Sequence, residues 1–364
     1  MKKFKIALAG TLGHFHYVLD SARLSDCSLV GISPGIVGGS SVAEDIGDCA
    51  RQLRQEHPDC VVYRDCEEML SRSKPDIVIV NSIFSDNCTL SRMALERGVH
   101  VFCEKPLATS FEELLLLYDD CRAAGARRVH LAGMFGLRYN SAVRTLLHAV
   151  RTGAVGEISM INIQKSYKLG IRHPLYARRE TYGGIIPWVA IHAIDWIYQL
   201  VGERFVRVAA QHTRNGNGSN GDMESGALCV YALEGGAVAS VNADMLRPEG
   251  AMTHDDDRIR VAGDRGIVEL RNGRVYLCDS GPEREMDRLE AGDIFAEFLD
   301  GIEGNSLGSG NLGYRDAIYV PAAALLSREA ADTGRVISLG RMLPYDTDGL
   351  PIVKEARDNK GKEL

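Results

Sequence analysis

A chain of 364 residues, 45% hydrophobic and 25% charged, is long enough for two domains with sizeable cores and has a globular composition. A net charge of −7, with neither basic tracts nor eighteen-residue apolar runs, argues against nucleic acid and against a membrane as partners. Nine cysteines scattered from Cys27 to Cys278 without a Cys-x-x-Cys pair suit reduced core thiols better than a disulfide frame or a zinc site. Met1-Lys2-Lys3-Phe4 leads into a strand with no small-residue cleavage site, so the expectation is a cytoplasmic protein without a metal.

Residues 5–10 form a short apolar strand. The turn after it, Thr11-Leu12-Gly13-His14, sits where a dinucleotide fold passes into its first helix and where backbone N–H groups meet a pyrophosphate. Against G-x-G-x-x-G, Gly10 fits the first position and Leu12 stands at the second, so this turn reads equally well as an ordinary strand–helix connection. The second strand, 28–33, ends in Ser33-Pro34-Gly35 with neither a carboxylate nor an arginine beside Ser33, which leaves both NAD and NADP open. A glycine- and serine-rich loop over 36–41 leads to a helix over 42–55, a strand over 60–63 and a short helix through 67–70. An apolar strand over 75–81, a helix over 90–97 closed by Gly98, and a strand from His100 make a strand–helix–strand unit. That last strand runs into Glu104-Lys105-Pro106. Proline has no N–H for a sheet, so the strand stops there and leaves Lys105 at a strand end, where open parallel sheets line their ligand crevice. Taken alone, the tripeptide reads more simply as a surface lysine at a turn.

Ala94-Leu95, Gly98, Val101 and Glu104-Lys105-Pro106 together resemble the "AL-x-x-G-x-x-V-x-x-EKP" run of the Gfo/Idh/MocA oxidoreductases. After a helix capped by Thr109 or Ser110 and a strand over 129–134, Arg138-Tyr139-Asn140 resembles the run that crosses into the family's second domain. From Gly156 the pattern alternates, as in half-buried antiparallel strands, and hairpin signals follow at Glu234-Gly235-Gly236 and Asn272-Gly273. Helices over 294–302 and 316–331 and a last strand over 336–339 complete the reading. The expected fold is α/β. A Rossmann dinucleotide-binding domain spans 1–133, an α+β domain with a large, mostly antiparallel sheet spans 134–340, and a charged tail spans 341–364.

Gly183-Gly184 precede an apolar helix with Pro187 in its first turn and with His192 and Asp195 three residues apart. A buried imidazole and carboxylate need partners: a ligand is one solution, and mutual satisfaction inside a core is the other. The segment resembles the family's G-G-x(7)-H-x-x-D signature, but Trp188 stands where the family usually has an aspartate one turn before the histidine. Trp188 then either stacks on a sugar ring or fills the core.

The resemblance implies an NAD(P)-dependent oxidoreductase acting on a sugar, inositol or related polyol. In it Lys105 positions the substrate oxygen and His192 exchanges the proton, supported by Asp195 and Trp188, while Gly10, Thr11, Leu12, Gly13, His14, Ser33, Asn81, Glu104 and Lys105 frame the cofactor. Arg138, Tyr167 and Tyr182 are further candidates for substrate contacts, each equally readable as structural. The alternatives are a family member that binds nucleotide or sugar as a regulator, and a lyase that uses the nicotinamide transiently. A homodimer or homotetramer is expected, because a large antiparallel sheet can leave one apolar face for a second copy.

Overall fold

The computed structural model describes residues 4–35, 46–202, 205–304 and 312–339. The loop expected at 36–41, the start of the helix expected at 42 and the tail lie outside the described residues. The chain forms two compact units, the first built from the chain up to Met134 with Glu180–Gly183 and Asp293–Pro321, the second from Phe135–Arg179, Gly184–Gly292 and the chain from Ala322 on.

Among the described residues, the first unit carries a six-stranded parallel sheet: β1 (Phe4–Ala9), β2 (Cys27–Ser33), β3 (Val61–Val62), β4 (Ile77–Val80), β5 (His100–Cys103) and β6 (Leu131–Gly133), in the order β3-β2-β1-β4-β5-β6. This is the doubly wound order, and the break between β1 and β4 is where such folds bind ligands. Ile77, Val78, Ile79 and Val80 are all essentially buried, as expected of a strand covered on both faces. Side chains cap the flanking helices. Asp65 accepts from the Glu68 N–H at 2.8 Å and Ser110 from the Glu113 N–H at 3.2 Å. The helix expected over 90–97 starts earlier, at Phe84. The last piece of this unit is held by packing: Phe295 and Phe298 lie 5.6 and 5.2 Å from the Phe102 ring, and Asp293 accepts from the Ser21 hydroxyl at 2.8 Å. The helix Ile294–Glu303, read in the sequence as part of the second domain, therefore packs with the first.

The second unit carries a nine-stranded sheet among the described residues. Its strands are β7 (Ile158–Lys168), β8 (Phe205–Thr213), β9 (Gly226–Leu233), β10 (Val238–Arg247), β11 (Asp255–Gly263), β12 (Ile267–Arg271), β13 (Arg274–Cys278), β14 (Arg284–Glu285) and β15 (Ile337–Ser338). Both hairpins form, and Asn272 and Gly273 take φ of 51° and 68°, as a tight two-residue turn requires. The sheet is not wholly antiparallel, since β7 pairs parallel with β10 and antiparallel with β11. One parity of β7 is buried, Ile161, Ile163 and Lys165, and the helix Ser141–Arg151 contacts β12 and β13. The other face bears Met160, Leu228, Val230 and Val238, each more than 40% exposed.

Candidate active site

In the first unit the ends of β1, β2, β4 and β5 meet around the turn after β1. Gly10 and Gly13 have φ of 83° and 79°, a backbone region that side chains disfavour. A Cβ on Gly13 would also lie 2.8 Å from the Glu104 side chain. Leu12, in the position a glycine usually holds, is half-buried, and its backbone is tied to Asn81 twice: the Leu12 N–H donates to the Asn81 carbonyl and the Asn81 amide donates to the Leu12 carbonyl, both at 2.8 Å. Main-chain geometry thus shapes this turn. Glu104 is fully buried and accepts from the His14 N–H at 3.1 Å, with the His14 ring Nδ1 2.9 Å from both its oxygens.

Lys105 is 3% exposed at the end of β5, and its ammonium lies 3.9 Å from a Glu104 oxygen. The Lys105–Pro106 bond is cis. The Asn87 amide holds this corner by donating to the carbonyls of Glu104 and Pro106, both at 3.1 Å. Asn87 had no signal in the sequence, since it precedes the helix expected over 90–97. The hydroxyl of Ser33 and the Oδ1 of Asn81 are buried without a hydrogen-bond partner among the described residues. Orphaned buried oxygens at the ends of β2 and β4, with a positive-φ turn between, suit a ligand rich in hydroxyl and phosphate groups.

In the second unit the helix Ile191–Val201 is preceded by a π turn, Ile186–Ala190, rather than starting as an α-helix at Pro187. All of its side chains are buried, His192 at 4% and Asp195 at 1% exposure. Asp195 accepts from the Arg138 guanidinium at 3.0 and 2.5 Å, a bidentate pair with Arg138 6% exposed. That pair gives each buried charge a partner within the protein. Tyr182 is fully buried in the first unit.

Trp188 in the π turn and His192 and Trp196 in the helix recur every fourth residue, and a cation stands over each indole. The Arg172 guanidinium lies 5.4 Å from the Trp188 ring, and the Lys165 ammonium lies 4.9 Å from the Trp196 ring and 4.7 Å from the Tyr167 ring. Tyr176 packs on Trp188 at 4.2 Å. Lys165, fully buried, donates to Asp257 at 2.6 Å. Burial pulls both toward their neutral forms, Lys165 down and Asp257 up, each opposed by the other's charge. Burial likewise raises the Tyr167 phenol. Sequence reasoning missed Lys165, Arg172 and Tyr176. Lys165 had a usable signal, because it shares the buried parity of Ile161 and Ile163.

Residues 9–132 match the model of the oxidoreductase family with an NAD-binding Rossmann fold, and residues 143–269 match the GFO/IDH/MocA C-terminal domain. The chain belongs to the Gfo/Idh/MocA family of NAD-binding oxidoreductases. It is 24% identical over 274 residues to an inositol 2-dehydrogenase/D-chiro-inositol 3-dehydrogenase of Shouchella clausii, covering 75% of this chain and 74% of that one. It is 24% identical over 310 residues to the D-glucoside 3-dehydrogenase of Escherichia coli, covering 80% and 87%. Among solved structures, an oxidoreductase of Thermotoga maritima described without a substrate superposes with a TM-score of 0.86 at 43% identity, over 92% of this chain and 99% of that one. The chain is thus an NAD(P)-dependent dehydrogenase, with its nucleotide domain in the first unit.

Proposed function

We propose that this dehydrogenase acts on a hydroxyl or carbonyl of a sugar, inositol or related polyol, with Lys105 and His192 in the catalytic roles. The observation that carries the reading is Lys105: an almost fully buried ammonium at the end of a parallel strand, 3.9 Å from a buried carboxylate oxygen. Gly10, Leu12, Gly13, His14, Ser33 and Asn81 are the residues that would hold the dinucleotide, which when bound supplies the hydride acceptor or donor. Lys105 Nζ donates to the substrate oxygen and orients it. The His192 imidazole takes the proton from the hydroxyl in oxidation and returns it in reduction. The names of the curated relatives, an inositol dehydrogenase and a glucoside dehydrogenase, support the substrate class.

A panel of sugars and polyols, scanned for absorbance of reduced nicotinamide, tests the reading. Turnover of at least one member that Lys105→Met abolishes is the expected result. Binding of nicotinamide without turnover of any member would favour the regulator instead.

The same proposal makes the protein a homo-oligomer in a reducing compartment such as the cytoplasm. Among the described residues the cysteines form no disulfide, and burial raises the thiols of Cys66, Cys88 and Cys229 to about 12, away from the reactive range. The exposed row of Leu228, Val230, Met160 and Val238 pairs with the same row of a second copy about a two-fold axis. Light scattering of wild type and of the Leu228→Glu/Val230→Glu variant reads this: a dimer or tetramer that falls to monomer is expected, and a wild-type monomer at micromolar concentration would refute it.

A further inference from the structure

We propose that Arg172 is a carboxylate-recognition residue, so that the substrate is a sugar acid rather than a neutral polyol. The inference rests on the dehydrogenase reading above and narrows its substrate class. Arg138, Lys165 and Arg172 each bring a charged group against the apolar helix of the second unit or the turn before it. Arg138 and Lys165 are paired with carboxylates, the buried Asp195 at 2.5 Å and the half-buried Asp257 at 2.6 Å. Arg172 is not. Among the described residues no carboxylate lies within ion-pair distance of it, its Nε is buried without a hydrogen-bond partner, and its terminal nitrogen reaches only the Lys168 carbonyl at 2.7 Å and the Met245 sulfur at 3.5 Å.

A half-buried guanidinium without an anion is costly, and burial indeed lowers its affinity for its own proton, with Tyr176, Tyr167 and Glu249 only partly offsetting this. Stacking on Trp188, which Tyr176 packs from 4.2 Å, fixes the plane of the fork. Trp188 supplies no negative charge beside this cation, so the indole face presents a guanidinium that has no anion from the protein. One uncompensated cation matches one negative charge, which favours a carboxylate over a phosphate dianion. The anion then lies one turn of helix from His192, so that an acid group and the reacting hydroxyl belong to one small molecule.

Trp188 and Trp196 are the chain's two tryptophans, so intrinsic fluorescence reports on this helix without turnover. The full chain, with NAD present, is titrated with D-gluconate, D-galactonate and D-glucuronate, with their neutral counterparts D-glucitol, galactitol and D-glucose, and with D-glucose 6-phosphate. At least one acid should bind about tenfold or more tighter than its neutral counterpart. Arg172→Gln should weaken that acid about 30-fold or more, and Arg172→Lys should fall between, since an ammonium keeps the charge and loses the fork. Neither variant should lower the thermal midpoint appreciably.

Equal binding of acid and neutral partners, tighter binding of the phosphate, no response to any acid, or a destabilised Arg172→Gln with unchanged acid affinity would each overturn the proposal. Reduced-nicotinamide absorbance, read in parallel, separates the two readings. An acid held through Arg172 but never oxidised sustains the carboxylate site and ends the proposed roles of Lys105 and His192 in oxidising a sugar or polyol. A neutral polyol oxidised equally well by wild type and Arg172→Gln does the reverse.

Discussion

The turn after β1 and the helix around His192 each depart from their family pattern at one residue, Leu12 in the first unit and Trp188 in the second, and the consequences differ. At the turn the recognising groups are main-chain ones. Gly10 and Gly13 keep their positive φ, the Leu12 N–H and carbonyl are both held by Asn81, and a leucine side chain at this place leaves that arrangement intact. On the helix the recognising groups are side chains, and exchanging a carboxylate for an indole changes the charge of the site and brings Arg172 and Tyr176 against it. A site built from backbone tolerates a changed side chain as long as its dihedral angles survive, whereas a site built from side chains acquires new chemistry.

The largest expected effect falls on Lys105. Lys105→Met should lower kcat/KM by about a thousandfold or more at every pH, whereas His192→Asn, lacking the neighbouring carboxylate that would stabilise an imidazolium, should retain a measurable few per cent. Steady-state rates across pH on the substrate that the panel identifies decide this. The opposite order would mean that the two roles are interchanged. Next is the pair that anchors the side-chain site. Asp195→Asn leaves the Arg138 guanidinium buried without its partner, and urea unfolding should show a loss of about 3 kcal/mol.

A smaller effect sharpens the comparison from the helix side. Trp188→Asp restores a carboxylate one turn before His192, which favours the protonated imidazole and raises its pKa. The acid limb of the oxidation profile should then move up by about one pH unit. An unmoved limb would show that His192 does not carry that ionisation. On the backbone side, Gly13→Ala forces a side chain into positive φ and against Glu104, and should weaken NAD about tenfold. Leu12→Ala, which leaves the main chain alone, should change NAD affinity by no more than about threefold.

Strands covered on both faces were readable as apolar runs, and Lys105 was found because proline, lysine and acid stood together at the end of one. The hairpin at Asn272-Gly273 was equally plain, since few dipeptides accept two positive φ angles. What escaped reading is long-range. Nothing local says that Phe295 and Phe298 pack on Phe102, nearly two hundred residues earlier in the chain, or that Asp293 caps its own helix while receiving Ser21. The parallel pairing of β7 with β10 was equally hidden, because alternation specifies which face is buried and not the direction of the neighbour. Arg172 lies in an irregular segment after β7, where no periodicity marks a side chain as inward. Its isolation from carboxylates is visible only once the indole beside it is in place.

Calorimetric titration of NAD, NADH, NADP and NADPH into the wild-type chain and its Leu12→Gly variant tests the central claim most directly, that the backbone of the first unit still forms a nicotinamide dinucleotide site with leucine in a glycine position. The account predicts binding below millimolar concentration for at least one of the four, with Leu12→Gly within about threefold of wild type. Failure of all four to bind wild type below millimolar, or binding that appears only when Leu12 is replaced by glycine, would contradict it.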